Sequence, residues 1–439
     1  MNRRSFVATV LITALVASLL TYGGIRLYDR ALYAYSVKIS GVPADVAKAP
    51  NFQKFLEIIQ LIEEKYYQNP KAPGAEGRET APPVETLLEG AAAGAVAALK
   101  DPYSVYFDPR GLREFKIQTS GRYGGIGVMM QEKDGYAIVV RVFPGTPAAT
   151  TPYEGAPKGA EPGLKPGDRI VKVEGQDVTN QDLDHLADMI RGPEGTQVTL
   201  GILREVDGNW EELTFVLTRA TITVPLIESR MLEPWKIGYI SYAQFDEVAA
   251  PEFRKAVEDL RKQGARALIL DLRDNPGGLL TVAQDAAAIL LPKGVLTYVV
   301  NQKGIVDIYQ TNGDQGLGMP LVVLVNQYTA SASEILAGAV QDYGVGTVVG
   351  ETTFGKAVVQ QTWTFPDETG LKLTVGQWLT PKKRTINQVG IEPDVKVAMP
   401  EGAEMGDLRK DPQLQEAVKI LAKELGQPQP TFPRVGGKP

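Results

Sequence analysis

The chain has 439 residues, of which 44% are apolar and 22% charged, so it has room for about two or three globular domains with buried cores. Its formal net charge is −6 and no segment carries a basic stripe, which argues against a nucleic-acid partner. It contains no cysteine and one histidine, His185, which excludes disulfides, thiol catalysis, cysteine-ligated metals and a zinc site with two histidines.

An uncharged segment follows two arginines at the N-terminus. Arg3 and Arg4 precede residues 5–25, which as a helix would extend about 31 Å, close to the hydrocarbon thickness of a bilayer. We predict an uncleaved signal-anchor within residues 1–30, which attaches an exported protein to the membrane and places it in the periplasm or at the cell surface. The alternative is a cleaved signal peptide and a secreted protein, with residues 31–34 as a weak cleavage site.

Two amphipathic segments predict a helical N-terminal region over residues 45–112. Apolar residues recur at helical spacing in residues 51–67 and again in residues 84–100, where small side chains would permit close packing. A loop rich in proline and glycine, residues 69–83, separates the two segments. The pair is either a simple cap on the following domain or an element for self-association, such as formation of a homo-oligomer, or docking.

Short strands and glycine turns characterise residues 115–219. One turn precedes a strand and consists of Gly124, Gly125, Ile126 and Gly127. A second motif, Leu164-Lys-Pro-Gly-Asp168, leads into another strand. This order resembles a PDZ domain, in which such a turn presents backbone N–H groups to a terminal carboxylate and a strand edge accepts a peptide. A Gly/Pro-rich insertion near residues 149–162 is expected to be a surface loop.

Strands and helices alternate after residue 219, which predicts an α/β domain over residues 220–399. Its expected strands include residues 237–242, 266–272 and 321–325, and its expected helices include residues 250–263 and 279–291. The tail, residues 400–439, is rich in proline and glycine and contains one predicted helix, residues 413–425. Nothing in the tail suggests chemistry.

A serine cluster lies on a strand-to-helix turn of this domain. The apolar strand at 321–325 is followed by Tyr328-Thr-Ala-Ser-Ala-Ser-Glu334 and then by helical periodicity. At a helix N-terminus the backbone N–H groups are unpaired and the potential is positive, so a nucleophile and an oxyanion site can share one turn. The alternative is a capping box between Ser331 and Glu334.

A serine nucleophile needs a base, and the composition restricts the choice. His185 belongs to an acidic amphipathic helix pattern typical of a solvated face, and lysine is the usual substitute for histidine. Lys356 has apolar neighbours, so burial would lower the pKa of its ammonium as a lysine base requires. Gln360, four residues on, would be close enough to hold the amine. The alternative is a lysine that extends from an apolar strand into solvent.

A second glycine turn follows a predicted strand of the α/β domain. The sequence Asp271-Leu-Arg-Asp-Asn-Pro-Gly-Gly278 ends a buried strand, and sites in open α/β sheets collect in loops at the carboxyl ends of strands. Gly277 and Gly278 would let backbone N–H groups approach a ligand, although a plain turn explains them equally well.

Together the motifs resemble the carboxyl-terminal processing peptidases, a tail-specific serine protease family with a Ser-Lys dyad and a PDZ domain. The resemblance covers about residues 50–425 and includes Leu99-Lys-Asp-Pro-Tyr-Ser104, Arg191-Gly-Pro-Glu-Gly-Thr196 and Thr353-Phe-Gly-Lys356. It implies an α/β, crotonase-like spiral protease core with an inserted, mainly β PDZ domain and a helical N-terminal region.

The resemblance also implies roles for individual residues. Ser331, rather than Ser333, corresponds to the nucleophile, Lys356 to its base and Gln360 to a helper. The implied oxyanion donors are the backbone N–H groups of Ala332 and of Gly278 or Gly277. The family usually has glycine after the lysine where this chain has Ala357, a small change that leaves the dyad intact. No metal or cofactor is implied.

The implied activity is cleavage of exported proteins at or near their C-termini, with apolar terminal residues preferred and the PDZ domain binding the substrate C-terminus. One rival is a membrane-tethered PDZ adaptor without significant proteolysis, which loss of Ser331 or Lys356 would have signalled. Another is an acyl-CoA enzyme on the same core fold, which the PDZ domain and the Ser-Lys spacing disfavour.

Overall fold

The computed structural model describes residues 50–66, 82–206 and 208–432. The predicted signal-anchor within residues 1–30 lies outside these ranges. None of the helices in the three ranges is both long enough and apolar enough to cross a membrane. The chain forms two compact units, which are divided between Ala98 and Leu99.

In residues 50–66 and 82–98 of the first unit, two helices lie at the positions that hydrophobic periodicity predicted. Helix α1 is Pro50–Lys65 and helix α2 is Val84–Ala97. No side chain of α2 is buried, and apolar side chains of both helices are about half exposed, among them Leu56, Leu61 and Leu88. The predicted helical region extends to residue 112, but residues from Leu99 onward belong to the second unit.

The second unit begins with strand β1, Val105–Phe107, and helix α3, Pro109–Ser120. The carboxylate of Asp108 caps α3 by accepting the N–H of Gly111 at 2.6 Å, and Gly121 ends the helix with φ 65°. Sequence patterns predicted neither element.

The PDZ region is an antiparallel sheet with one longer helix. Its sheet has the order β3-β4-β5-β7-β8, with β6 paired to β5, while β2 pairs with β9 separately. The elements are β2 Arg122–Gly125, β3 Val128–Lys133, β4 Tyr136–Val142, α4 Pro147–Thr150, β5 Arg169–Val173, β6 Gln176–Asp177, α5 Leu183–Ile190, β7 Gln197–Val206, β8 Asn209–Thr218 and β9 Ala220–Thr223. Its core includes fully buried Ile170, Leu200 and Phe215.

The central sheet of the α/β region has the order β10-β11-β12-β15-β16-β19, and all neighbours except β10 and β11 are parallel. These strands are β10 Ile227–Leu232, β11 Ile237–Tyr242, β12 Ala267–Asp271, β15 Leu321–Val325, β16 Thr347–Gly350 and β19 Val395–Lys396. Four helices accompany them: α6 Ala249–Lys262, α7 Leu280–Leu290, α8 Ala332–Tyr343 and α9 Pro412–Glu424. Strands β12 and β15 are buried along their whole length, as expected for parallel strands covered on both faces.

A second, antiparallel sheet completes this region. Its order is β1-β18-β13-β14, with β17 also paired to β18. The strands not yet given are β13 Pro292–Asn301, β14 Gly304–Gln315, β17 Val358–Thr364 and β18 Gly370–Leu379. Because β1 pairs with β18, the segment after Leu99 is a structural part of this region rather than of the N-terminal helices.

The C-terminal helix α9 is joined to the centre of the fold by a buried ion network. The guanidinium of Arg273 donates to Asp271 at 2.6 Å and to Asp411 at 2.7 Å, and all three side chains are nearly inaccessible to solvent. Asp411 also caps α9, since its carboxylate accepts the N–H of Leu414 at 3.0 Å. The tail, which suggested no chemistry in sequence, thus holds the strand end that leads to the second glycine turn.

Asp411→Ala is therefore expected to lower the free energy of unfolding by about 3–5 kcal/mol, because removing one partner leaves Arg273 buried with an incomplete set of acceptors. Urea denaturation followed by circular dichroism measures the change. Glu416→Ala on the same helix is the matched control, since Glu416 forms a partly exposed pair with Lys419 and should cost about 1 kcal/mol or less. Equal losses in the two variants would show that the network does not stabilise the fold.

Candidate active site

Three loops meet at the carboxyl edge of adjacent parallel strands. Strand β12 leads into the Asn-Pro-Gly-Gly turn, β15 into the serine turn and β16 into the loop that carries Lys356. The serine and lysine loops are joined directly, because the N–H of Phe354 donates to the carbonyl of Thr329 at 3.0 Å. They border a cavity of about 300 Å³, whose lining includes Gly277, Gly278, Ser331, Ala332, Lys356 and Gln360.

Ser331 has an unusual backbone conformation at the start of α8. Its φ of 56° and ψ of −117° are a strained combination for a residue with a side chain, and such strain is commonly found at functional turns. The hydrogen bonds that hold the turn include one from the N–H of Ser331 to the Glu334 carboxylate at 2.8 Å and one from the N–H of Ala330 to the carbonyl of Asn275 at 3.0 Å. The capping interaction with Glu334 is therefore present, and Ser331 nevertheless lines the cavity.

The neighbouring Ser333 has a different environment. It is fully buried, and its hydroxyl donates to the carbonyl of Asn275 at 3.1 Å. This bond fixes α8 against the glycine turn and leaves Ser333 outside the cavity lining. The structure therefore separates the two serines of the cluster by their surroundings.

The Asn-Pro-Gly-Gly turn requires its glycines. Gly277 has φ 96° and Gly278 has φ 144°, and a Cβ on Gly278 would lie 2.1 Å from the carbonyl oxygen of Phe245. The N–H of Gly277 already donates to the side chain of Asn275 at 2.9 Å. In contrast, the N–H groups of Gly278 and Ala332 donate no hydrogen bond to any residue within the described ranges.

Lys356 reaches the cavity from a short loop whose backbone is fixed at both ends. Its N–H donates to Glu334 at 2.9 Å, and its carbonyl accepts from the indole N–H of Trp378 at 3.1 Å. Its Nζ lies 4.7 Å from the centroid of the Tyr103 ring. Among the residues that the structure describes, no hydrogen bond joins this Nζ to the hydroxyl of Ser331.

The environment of Lys356 favours its neutral form. Burial lowers the pKa of its ammonium, and the charge of Lys372 lowers it further, whereas Glu334 and Asp101 act in the opposite direction. A lysine with a lowered pKa is available as a base at a pH where a solvated lysine is protonated.

Glu334 connects the serine turn to the lysine loop. It is fully buried, and its carboxylate accepts four hydrogen bonds, from the N–H groups of Ser331, Gly355 and Lys356 and from the hydroxyl of Thr353. Burial raises the pKa of this carboxyl, although the four donors act against the rise. In the sequence Glu334 is recognisable only as a helix cap, because partners about twenty residues away are not visible in a Ser-x-x-Glu pattern.

Gln360 lines the cavity but contacts the neighbouring strand. Its side-chain amide donates to the hydroxyl of Thr374 at 3.5 Å, and no hydrogen bond to Lys356 is present among the described residues. The N–H of Thr374 donates to Ser104, whose hydroxyl donates to Asp101 at 2.6 Å. The Asp101-Pro-Tyr-Ser104 segment thus supports this wall of the cavity and supplies Tyr103, two functions that its sequence did not reveal.

The glycine turn of the PDZ region lies at the end of β2. The carbonyls of Gly124, Ile126 and Gly127 accept backbone N–H groups of Gly192, Ala148 and Phe143, and the side chain of Ile126 is buried. Gly125 pairs with Ala220 of β9. Within residues 82–206 and 208–432, the N–H groups of Ile126 and Gly127 have no hydrogen-bond acceptor.

His185 is exposed on α5 of the PDZ region and does not line the cavity. In the part of the chain that the structure describes, no three His, Asp or Glu side chains are grouped closely enough to hold a metal ion.

Comparison with known proteins adds independent information. The chain matches the sequence profile of peptidase family S41 over residues 236–397, of the PDZ domain over residues 153–204 and of the activating protease CtpB N-terminal domain over residues 14–110.

Similar proteins include the carboxy-terminal processing protease CtpA of Bacillus subtilis. It is 34% identical over 403 residues, which is 92% of this chain and 79% of that protein. A carboxyl-terminal-processing protease of Synechocystis sp. is 36% identical over 346 residues, 77% of this chain and 75% of that protein. Among solved structures, the photosystem II D1 C-terminal processing protease is 28% identical, with 86% of this chain and 99% of that chain covered and a TM-score of 0.44.

Proposed function

Because the chain belongs to the carboxy-terminal processing proteases of peptidase family S41, we propose that it hydrolyses peptide bonds at or near the C-termini of proteins with Ser331 as nucleophile and Lys356 as base. The observation that carries this assignment is the convergence of the serine turn, the lysine loop and the glycine turn on one cavity. The strained backbone of Ser331 and the buried surroundings of Lys356 support it.

In the proposed reaction, neutral Lys356 takes the proton of the Ser331 hydroxyl, and the resulting alkoxide attacks the peptide carbonyl. The protonated lysine then donates to the leaving amine, and water hydrolyses the acyl-enzyme. For this step the Nζ of Lys356, which lies 4.7 Å from the centroid of the Tyr103 ring, must come within hydrogen-bond distance of the Ser331 hydroxyl. Gln360 is proposed to hold the Lys356 amine next to Ser331. For this its side chain must break the hydrogen bond to Thr374 and form one to Lys356.

The oxyanion of the tetrahedral intermediate needs free donors. We assign this role to the N–H groups of Ala332 and Gly278, since both border the cavity and neither has an acceptor among the described residues. Gly277 is the weaker candidate because its N–H already donates to Asn275.

The PDZ region is proposed to bind the free C-terminus of the substrate. Two successive N–H groups without acceptors, those of Ile126 and Gly127, support this role because they can donate charge-assisted hydrogen bonds to a carboxylate. The uncharged segment at residues 5–25 supports export, so exported proteins are the proposed substrates, with apolar C-terminal residues preferred.

The direct test is to incubate the purified protein with an unfolded protein and to map the cuts by mass spectrometry. Cuts concentrated near the C-terminus are expected, and none with Ser331→Ala. Tight binding of C-terminal peptides without any cleavage would favour a PDZ adaptor instead.

The pH dependence distinguishes a lysine base from a histidine base. Activity should rise with pH as Lys356 loses its proton, at a pH below the ~10.4 of a free lysine because burial and the charge of Lys372 lower its pKa. His185→Ala should leave the profile of kcat/KM unchanged. A rising limb near pH 6.5 that disappears in His185→Ala would contradict the dyad.

A further inference from the structure

A second lysine, Lys372, faces the same cavity. It lies on β18, opposite Thr362 of β17 and opposite Val105 of β1. Its side chain belongs to the cavity lining together with Ser331 and Lys356.

No carboxylate of the described residues pairs with the charge of Lys372. No Asp or Glu side chain lines the cavity, and within the described ranges the Lys372 ammonium makes neither an ion pair nor a hydrogen bond. It lies instead over two aromatic rings that stack on each other, 5.5 Å from the centroid of Phe107 and 5.3 Å from that of Phe115. Burial lowers the pKa of this ammonium.

Lys372 and Lys356 line the same cavity as Ser331. Lys356 must protonate the leaving amine, so the released tail lies on the side of Ser331 where Lys356 is. Strand β17 begins two residues after Lys356, and Lys372 lies opposite its Thr362, which also lines the cavity. After burial, the charge of Lys372 is the next cause that lowers the pKa of Lys356, which is consistent with two ammonium groups in one cavity.

We propose that Lys372 binds the free carboxylate of the short C-terminal tail that cleavage releases, so that the catalytic cavity itself recognises the chain terminus, in addition to the PDZ region. This inference rests on the proposed Ser331–Lys356 activity. The cavity of about 300 Å³ is at the small end of the range for ligand sites, which suits a short tail. Its apolar walls, including Phe115 and Val359, suit apolar side chains next to that carboxylate.

A charge-assisted hydrogen bond in a partly buried site should change the rate by about tenfold or more. The test uses peptides with one scissile sequence and tails of roughly two to ten residues beyond it. Each peptide is made with a free C-terminal acid and with a C-terminal amide, and kcat/KM is measured for both. A third peptide has a C-terminal amide and glutamate as its last residue. It distinguishes recognition of the chain terminus from recognition of a side-chain carboxylate.

The wild-type enzyme should prefer the acid over the amide by about tenfold or more at one short tail length, and the preference should fall at longer lengths. Lys372→Gln should bring this ratio close to one, whereas Lys372→Arg, which keeps the charge, should preserve most of it. Lys116→Gln, which removes an exposed lysine of α3, is the control and should keep the wild-type ratio.

An acid-to-amide ratio that is unchanged in Lys372→Gln would overturn the proposal, because recognition would then depend on the PDZ region alone. A glutamate-amide peptide cleaved as fast as the free acid would overturn the assignment to the chain terminus. If wild-type enzyme cleaves no peptide or protein at all, the proposed protease activity fails and this inference fails with it.

Discussion

Ser331→Ala and Lys356→Ala are each expected to lower kcat/KM by about 10³-fold or more, because nucleophile and base act as one unit and neither is useful alone. The double variant should be no slower than the slower single variant. The measurement is cleavage of an unfolded protein or a C-terminal peptide, with circular dichroism to show that each variant is folded. Lys356→Arg should also be inactive, since guanidinium stays protonated and cannot act as a base.

Ser333→Ala is the matched control for the nucleophile. It removes a hydroxyl of the same turn, but one that is fully buried and donates to the carbonyl of Asn275. We expect a stability loss of about 1 kcal/mol and substantial remaining activity. An inactive Ser333→Ala beside an active Ser331→Ala would reverse the assignment of the nucleophile.

Local sequence patterns were sufficient to locate the serine turn and the glycine turn, but they did not predict strand β16, Thr347–Gly350, which leads into the lysine loop. The apolar strand at Leu321–Val325 and the helix after Ser331 are visible in the sequence because their patterns involve residues close together in the chain. Because the carboxyl ends of parallel strands lie at one edge of the sheet, the loops that follow these strands come together. The glycines at 277 and 278 were visible as a turn, and their positive φ angles confirm that the turn needs them. The resemblance, rather than these patterns, selected Ser331 from the two serines.

Contacts between distant segments could not be predicted from the same patterns. Tyr103 meets Lys356 across about 250 positions of sequence, and Asp411 meets Arg273 across about 140, so no periodicity connects them. Strand β1 was missed because it has three residues and takes its structure from β18. Such short elements depend on tertiary partners more than on their own propensity.

Glu334 is the residue whose importance depends most on these distant contacts, and Glu334→Ala is expected to lower kcat/KM by about 10²-fold or more. Its carboxylate holds the N–H of Ser331 on one side and the N–H groups of Gly355 and Lys356 on the other. Removing it leaves these donors without their buried acceptor, at a cost of about 1–3 kcal/mol each, and lets the two loops separate. A displacement of about 1 Å between reacting groups is enough for a loss of this size.

Glu334→Gln distinguishes positioning from simple destabilisation. Glutamine keeps one acceptor oxygen but turns an NH₂ group toward N–H donors, so it should retain more activity than Glu334→Ala and less than wild type. Labelling of Ser331 by a fluorophosphonate reports on the geometry of the dyad, and its rate should fall in the same order. Glu392→Ala, which removes an exposed carboxylate paired with Lys396, should match wild type in both assays. The contrary outcome is that Glu334→Ala lowers stability and leaves the labelling rate and kcat/KM at wild-type values. In that case the four hydrogen bonds to Glu334 stabilise the fold only, and other contacts position the dyad.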